Sequence, residues 1–179
     1  MSGLFRLDGK CAIVTGGSGS LGCHFAEVLA NAGASVALAA RRVEKMEKVS
    51  AEINAAGGKS TAIPLDVTDA VSIAAAFTIA EERLGPVTVL VNNAANDVRH
   101  STQEVTEAFW DQTQAINLKA YFFACQAVIK GMQANGGGAI INFSSISYMM
   151  GNAGYPSYTT ANAGITGLTR SMAREFGRD

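Results

Sequence analysis

The sequence predicts an α/β fold, a doubly wound parallel sheet. Two observations carry this. Short apolar, β-branched runs alternate with stretches of helical periodicity, and such alternation pairs strands in parallel through right-handed crossovers. Residues 10–22, KCAIVTGGSGSLG, then give a strand, a glycine turn and a helix in succession. Cys11–Thr15 is the strand, and Gly16, Gly17, Gly19 and Gly22 crowd the turn. Leu21, Phe25, Val28, Leu29 and Ala32 fall at helical spacing, so a helix begins near Ser20. Glycine lets backbone come close to a diphosphate, and the unpaired N–H groups of the first helical turn point at it. Gly17-Ser18-Gly19-Ser20-Leu21-Gly22 fits G-x-G-x-x-G, a pattern that gains meaning from the strand before it and the helix after it.

The remaining elements follow in order. Gly33 stops the first helix, and Ser35–Ala40 is the second strand. Val43, Met46, Val49 and Ile53 line one face of a helix that ends at Gly57-Gly58. Residues 60–65 form a third strand ending at Asp66, and Ala70–Leu84 the next helix, closed by Gly85-Pro86. Residues 87–91 are a fourth strand, apolar enough to be covered on both faces. A polar loop spans residues 92–101, and Thr106 is placed to cap a short helix. A longer helix carries Tyr121, Phe122, Cys125, Val128, Ile129 and Met132, and glycines 136–138 break it. Residues 139–143 are the fifth strand, and a polar loop over 144–157 leads to a last helix, opened by Tyr158 and ending near Gly177. The expected strand order begins 3-2-1-4-5. The fifth strand is then an edge although it reads as buried on both faces. Either a partner covers it or the chain, a single domain over residues 1–179, is an incomplete piece of a longer protein.

Composition narrows the function classes. The chain has 179 residues, 48% hydrophobic and 16% charged, so a packed core is expected. A net charge of −1 without like-charge runs argues against nucleic acid or a membrane surface as partner. The N-terminus MSGLFRLDGK has no signal-peptide pattern, and no stretch approaches the roughly 20 apolar residues of a membrane span. Cys11, Cys23 and Cys125 are widely spaced, each in an expected strand or helix. They read as buried free thiols in a reducing cytoplasm, and metal-ligand spacing is absent.

Several residues stand where ligand chemistry belongs. At the end of the second strand a carboxylate favours NAD and an arginine NADP. Ala40 is followed by Arg41 and Arg42, which favours NADP, the alternative being two solvated arginines. Asp66 reads equally as an acceptor for adenine and as a helix or turn cap. Asn92-Asn93-Ala94-Ala95 allows close backbone approach at the carboxyl end of the sheet, or is turn chemistry alone. Ser145 ends the fifth strand and Tyr158 opens the last helix, a pair suited to hold and protonate a carbonyl oxygen while hydride moves to or from nicotinamide. His100, in the loop after the fourth strand, reads as a packing residue or a substrate contact. Trp110, Phe109, Tyr121, Phe122 and Phe123 read as core or as an oligomer face, and Tyr148, Met149 and Met150 as pocket floor or loop packing.

Thr15-Gly16 through Gly22, Asn92-Asn93-Ala94, Ile116-Asn117-Leu118, Ser145 and Tyr158 together resemble the short-chain dehydrogenase/reductase family, over its first 70% or so. The loop Asn92-Asn93-Ala94-Ala95-Asn96-Asp97 and the run Tyr155-Pro156-Ser157-Tyr158-Thr159-Thr160-Ala161 are similar to bacterial members that oxidise sugars at the anomeric carbon. The resemblance implies a Rossmann-like sheet whose C-terminal strands and substrate lid lie beyond this chain. It implies an NAD(P)-dependent oxidoreductase acting on an alcohol or sugar, and a homo-oligomer, dimer or tetramer, paired through the helices after strands four and five. Gly16, Ser18, Ser20, Leu21 and Gly22 would cradle the pyrophosphate. Arg41 would meet a 2′-phosphate, Asp66 and Val67 would hold adenine, and Asn93, Ala94 and Ala95 would lie along the cofactor. Ser145 would orient substrate, Tyr158 would be the acid/base, and Asn117 would anchor a water in a proton relay.

Three positions depart from the family pattern. Ser20 replaces the middle glycine and Ala95 the glycine of Asn-Asn-Ala-Gly, both modest changes. The third is Asn162, where members have the lysine of Tyr-x-x-x-Lys. That lysine binds the nicotinamide ribose and lowers the tyrosine pKa. Asn162 is expected to keep hydrogen bonds to ribose without the charge. Free tyrosine titrates near pH 10, so about one in a thousand is phenolate at pH 7. A nearby cation lowers that pKa by roughly 1–3. Its loss removes about 10- to 1000-fold of reactive base, so an impaired enzyme is expected. The alternative function is a non-catalytic dinucleotide-binding protein with an interaction or regulatory role.

Overall fold

The computed structural model describes residues 3–178. After a short 3-10 turn at Gly3–Phe5, five strands alternate with helices: β1 (Cys11–Thr15), α1 (Ser20–Asn31), β2 (Ser35–Ala40), α2 (Val43–Ala55), β3 (Lys59–Pro64), α3 (Ala70–Leu84) and β4 (Val87–Asn92). Next come α4 (Glu107–Gln114), a π-helical turn (Ala115–Lys119), α5 (Ala120–Ala134), β5 (Ala139–Asn142), α6 (Ser147–Met150) and α7 (Pro156–Phe176). The sheet is parallel in the order β3-β2-β1-β4-β5, as expected.

Alternation along each inner strand feeds two cores. Cys11 and Ile13 of β1, with Ala37, Ala39, Ile63 and Leu90, pack under Ile73 and Phe77 of α3 and Ala124 and Val128 of α5. Ala12 and Val14, with Val36 and Leu38, pack under Ala26 of α1 and Met46 and Ile53 of α2. β4 is buried along its whole length, so the expectation of cover on both faces holds.

Boundaries differ from the expected ones by a residue: β4 runs on to Asn92, and the two edge strands shift as well. β3 lies one residue earlier than expected, pairing Ser35 with Lys59 through Ala40 with Pro64. The ladder still runs on, because Leu65 N–H donates to the Ala40 carbonyl at 3.1 Å. β5 ends at Asn142, yet Phe143 N–H donates to the Asn92 carbonyl at 3.0 Å. β5 is an exposed edge: Ala139 is exposed and Ile141 is 46% accessible, against the expectation of burial on both faces.

The large residues of α1 are unequally buried, Phe25 and Leu29 packing against the core. Leu21 and Val28 are 62% and 51% exposed, while Gly22 and Ala26 face the sheet. Small residues sit there because the helix rides close to β1. Phe25, at the margin of that core, also stacks on Phe143, ring centroids 4.5 Å apart. The stretch expected as an open loop over 144–157 contains α6, and α7 starts at Pro156, placing Tyr158 inside its first turn. Cys11 and Cys125 are buried, but Cys23 is half-buried and donates its thiol to the Gly17 carbonyl at 3.3 Å.

Candidate active site

The β1–α1 corner is held at van der Waals limits. Gly16 has φ +68°, and a Cβ there would lie 2.9 Å from Ala94 Cα. A Cβ on Gly22 would lie 2.3 Å from the Gly16 carbonyl oxygen. Gly17 N–H donates to the Ala39 carbonyl at 3.2 Å and Gly19 N–H to the Gly16 carbonyl at 3.0 Å, which folds the turn onto the sheet. Ser18 is buried within it, and Ser20 and Leu21 lie exposed in the first turn of α1. Gly19 caps that helix without a side-chain hydrogen bond, and a Cβ there would meet one atom, at 3.4 Å. The opening N–H groups of α1 thus face an uncluttered rim, which fits a diphosphate.

The carboxyl end of β4 is tied to this corner by Thr15, which in the sequence shows only as the end of the first strand and the start of the glycine motif. Its hydroxyl donates to the Val91 carbonyl at 3.4 Å and accepts from the N–H groups of Asn93 and Ala94 at 3.1 and 3.3 Å. Asn93 donates its amide to the Thr15 carbonyl at 3.1 Å. Ala95 is exposed just beyond. Asn117, buried in the π-helical turn, bonds Asn96 reciprocally: its Nδ2 donates to the Asn96 carbonyl at 2.9 Å and its Oδ1 accepts from Asn96 N–H at 2.8 Å. π turns concentrate at functional sites, but five residues of ordinary helical composition give no sequence signal for one.

Arg41 is exposed at the end of β2, and Asp66 and Val67 follow β3. Asp66 Oδ1 accepts from the N–H and hydroxyl of Thr68 at 2.9 and 2.7 Å. These two bonds, with a smaller contribution from the Arg41 charge, hold its carboxyl below the usual range. The turn-forming role weighed for Asp66 is therefore present, while Asp69 caps α3 by accepting from Val71 N–H at 2.9 Å.

Ser145 lies in the loop after β5, its hydroxyl accepting from Ser147 N–H at 3.2 Å. The neighbouring Ser144 hydroxyl donates to the Asn162 carbonyl at 3.0 Å, tying that loop to α7 one turn past Tyr158. Tyr158 is half-buried, and its ring stacks on Tyr155 with centroids 5.2 Å apart. The guanidinium of Arg99 sits 3.8 Å over the other ring of the pair, Tyr155. Asn162 departs from expectation. It is 3% exposed, and its amide donates to the Tyr158 carbonyl at 2.9 Å, so the side chain is bonded within its own helix rather than presented to a ribose. A short amide on a helix reaches the carbonyl one turn back, where a long lysine side chain would extend past it. Of the aromatic residues, Tyr121 is core, Trp110 and Phe122 are partly exposed, and Met149 and Met150 are exposed on α6.

The glycine corner, the Asn93–Ala95 segment and Ser145 thus occupy connections at the carboxyl ends of strands of one parallel sheet, where open α/β sheets bind ligands, and Tyr158 lies in the first turn of the helix that follows. Fold and corner define a Rossmann-like α/β protein of the dinucleotide-binding class. The chain belongs to the short chain dehydrogenase family, whose model matches residues 10–179, and is an oxidoreductase acting on CH–OH groups. Members use NAD or NADP. The chain is 41% identical over 174 residues to the probable galactose dehydrogenase of Rhizobium meliloti strain 1021, covering 97% of this chain and 68% of that one. It is 39% identical to the D-xylose 1-dehydrogenase of Caulobacter vibrioides, with the same coverage. The crystal structure of a short-chain type dehydrogenase/reductase from Mycobacterium marinum superposes with a TM-score of 0.93 at 32% identity, covering 99% of this chain and 74% of that one.

Proposed function

We propose that this protein transfers hydride between NAD(P) and the anomeric carbon of an aldose. The position of the glycine corner after β1, and of Ser145 and Tyr158 after β5, carries the proposal, and likeness to two sugar dehydrogenases supports the substrate class. A bound nicotinamide supplies the hydride acceptor. The chain does the rest: the Ser145 hydroxyl holds the substrate oxygen, Tyr158 takes the proton from it, and the backbone of residues 16–22 and 93–95 holds the cofactor. Asn117, fixed by Asn96, anchors a water that relays the proton outward. Arg41, with no acid beside it on β2, favours NADP. The test is reduction of each cofactor, followed by absorbance, across a panel of aldoses and polyols. Reaction with polyols alone would remove the anomeric assignment, and tighter binding of NADH than NADPH would remove the cofactor preference.

Asn162 supports slow turnover, because no charge stands one helical turn from Tyr158 and the amide is engaged with backbone. The same residue favours the second reading, a dinucleotide-binding protein without turnover. Thermal stabilisation by cofactor with no hydride transfer on any panel member would select it. We read the chain as a single nucleotide-binding domain, and it spans 68% of the length of these two relatives. The free thiols support a cytoplasmic setting, and α4 and α5, with exposed Trp110 and Phe122, support a homo-oligomer.

A further inference from the structure

We propose that His100 is a positioning residue, which caps the helix carrying Tyr158 from the loop that runs along the cofactor. The inference rests on the reading of Tyr158 as acid/base.

The need for a cap is built into α7. Its N-cap residue Tyr155 makes no side-chain capping bond, and Pro156 at the first position has no N–H. Ser157 N–H is therefore the first donor of the helix that requires a partner. His100 Nε2 provides it at 3.3 Å, and the same nitrogen lies 2.9 Å from the Ser157 hydroxyl. The other ring nitrogen, Nδ1, lies 2.9 Å from the Val98 carbonyl. Both backbone partners have fixed polarity. An N–H only donates and a carbonyl only accepts, so His100 is neutral with its proton on Nδ1 and its lone pair on Nε2.

The imidazole is locked on further sides. His100 N–H donates to the Gly154 carbonyl at 2.8 Å, and the ring meets Phe109 edge-on with centroids 4.8 Å apart. Ser157, fully buried, has its carbonyl engaged as well, by the Gln114 amide at 2.8 Å. Every polar group of the residue before Tyr158 is thus held from outside α7. The holding loop is the one that carries Asn93, Ala94 and Ala95. The cap therefore fixes the distance between the proton-transferring phenol and the cofactor strip. This also answers the substrate-contact reading of His100, since both ring nitrogens are occupied by the protein itself.

The experiment compares His100→Leu with His100→Gln, whose side-chain oxygen reaches the position of Nε2. Three quantities are read by NMR on the whole chain: the tautomer of His100, with exposed His24 as internal reference; exchange of the Ser157 amide; and the ring resonances of Tyr158. The expected wild-type state is the Nδ1–H tautomer. In His100→Leu, Ser157 exchange rises about tenfold, the effect of one hydrogen bond, and the Tyr158 resonances move. In His100→Gln both stay near wild type. Unchanged exchange and resonances in His100→Leu would overturn the cap. Equal disturbance by both variants would reduce His100 to packing and overturn its positioning role. Turnover surviving in Tyr158→Phe would overturn the acid/base reading, an outcome read separately from the exchange results.

Discussion

At the scale of single residues, Asn162 decides most. Its amide is satisfied by the Tyr158 carbonyl, and no charge stands at that position one helical turn from the phenol. Asn162→Lys is expected to raise turnover by about 10- to 1000-fold, the range a nearby positive charge gives a tyrosine base, as read from initial rates with saturating cofactor. No increase in a well-folded variant would refute the charge argument. Gly22→Ala is expected to cost several kcal/mol, on the order of overpacking with little room to relax, because the new methyl meets the Gly16 carbonyl. Denaturant unfolding checks this. The thiols sort by environment. Burial pushes those of Cys11 and Cys125 up to about 11, so a thiol reagent at neutral pH is expected to label Cys23 first and the other two only on unfolding. Asp66 has a carboxyl depressed by Thr68, so its stabilisation is present above the unfolded carboxylate pKa and is lost as pH falls through the lower, folded value. Melting temperatures of wild type and Asp66→Asn should therefore converge as pH falls through that acid range.

At the scale of elements, the sequence was most readable where pattern and packing agree. β1, β2 and α3 fall where the apolar runs and the Gly85-Pro86 stop place them. Thr106 caps α4 by accepting from Phe109 N–H at 3.2 Å, and Thr106→Ala should cost about 1 kcal/mol in thermal unfolding. Strand ends at the sheet edges shifted by a residue because a ladder bond outlasts the regular pairing. On α1 the helical spacing marks the element, and Phe25 and Leu29 pack against the core, but spacing of large residues does not show that close approach to the sheet places Gly22 and Ala26 innermost. Thr15, His100 and Gln114 were illegible as ties because their partners lie 78, 57 and 43 positions away. Nothing in a local pattern encodes such distances. The glycine corner, Ser145 and Tyr158 were legible as types and order, but their attachments were not.

For the whole molecule, the same parallel sheet serves two cores and one ligand edge. Cofactor binding to the folded state alone should raise stability by about 2.7 kcal/mol at a hundredfold excess over its dissociation constant, visible as a rise in melting temperature. Along the β5 edge, Ile129, Met132, Ile140, Met172 and Phe176 line an apolar groove that includes no residue of the glycine corner. Among the described residues no helix is long and apolar enough to cross a membrane.

The five-residue turn around Asn117 splits what looks like one long rod into two halves set at different angular phase. Each residue of a regular helix advances the chain by about 100° around its axis. An extra residue in a regular helix would swing everything beyond it by that angle; the widened turn absorbs one residue instead, so Thr113 stays inside and Gln114 stays on Ser157. Closing the turn by removing one residue would leave both halves in place, and the loss would fall on the segment that holds Asn117 alone.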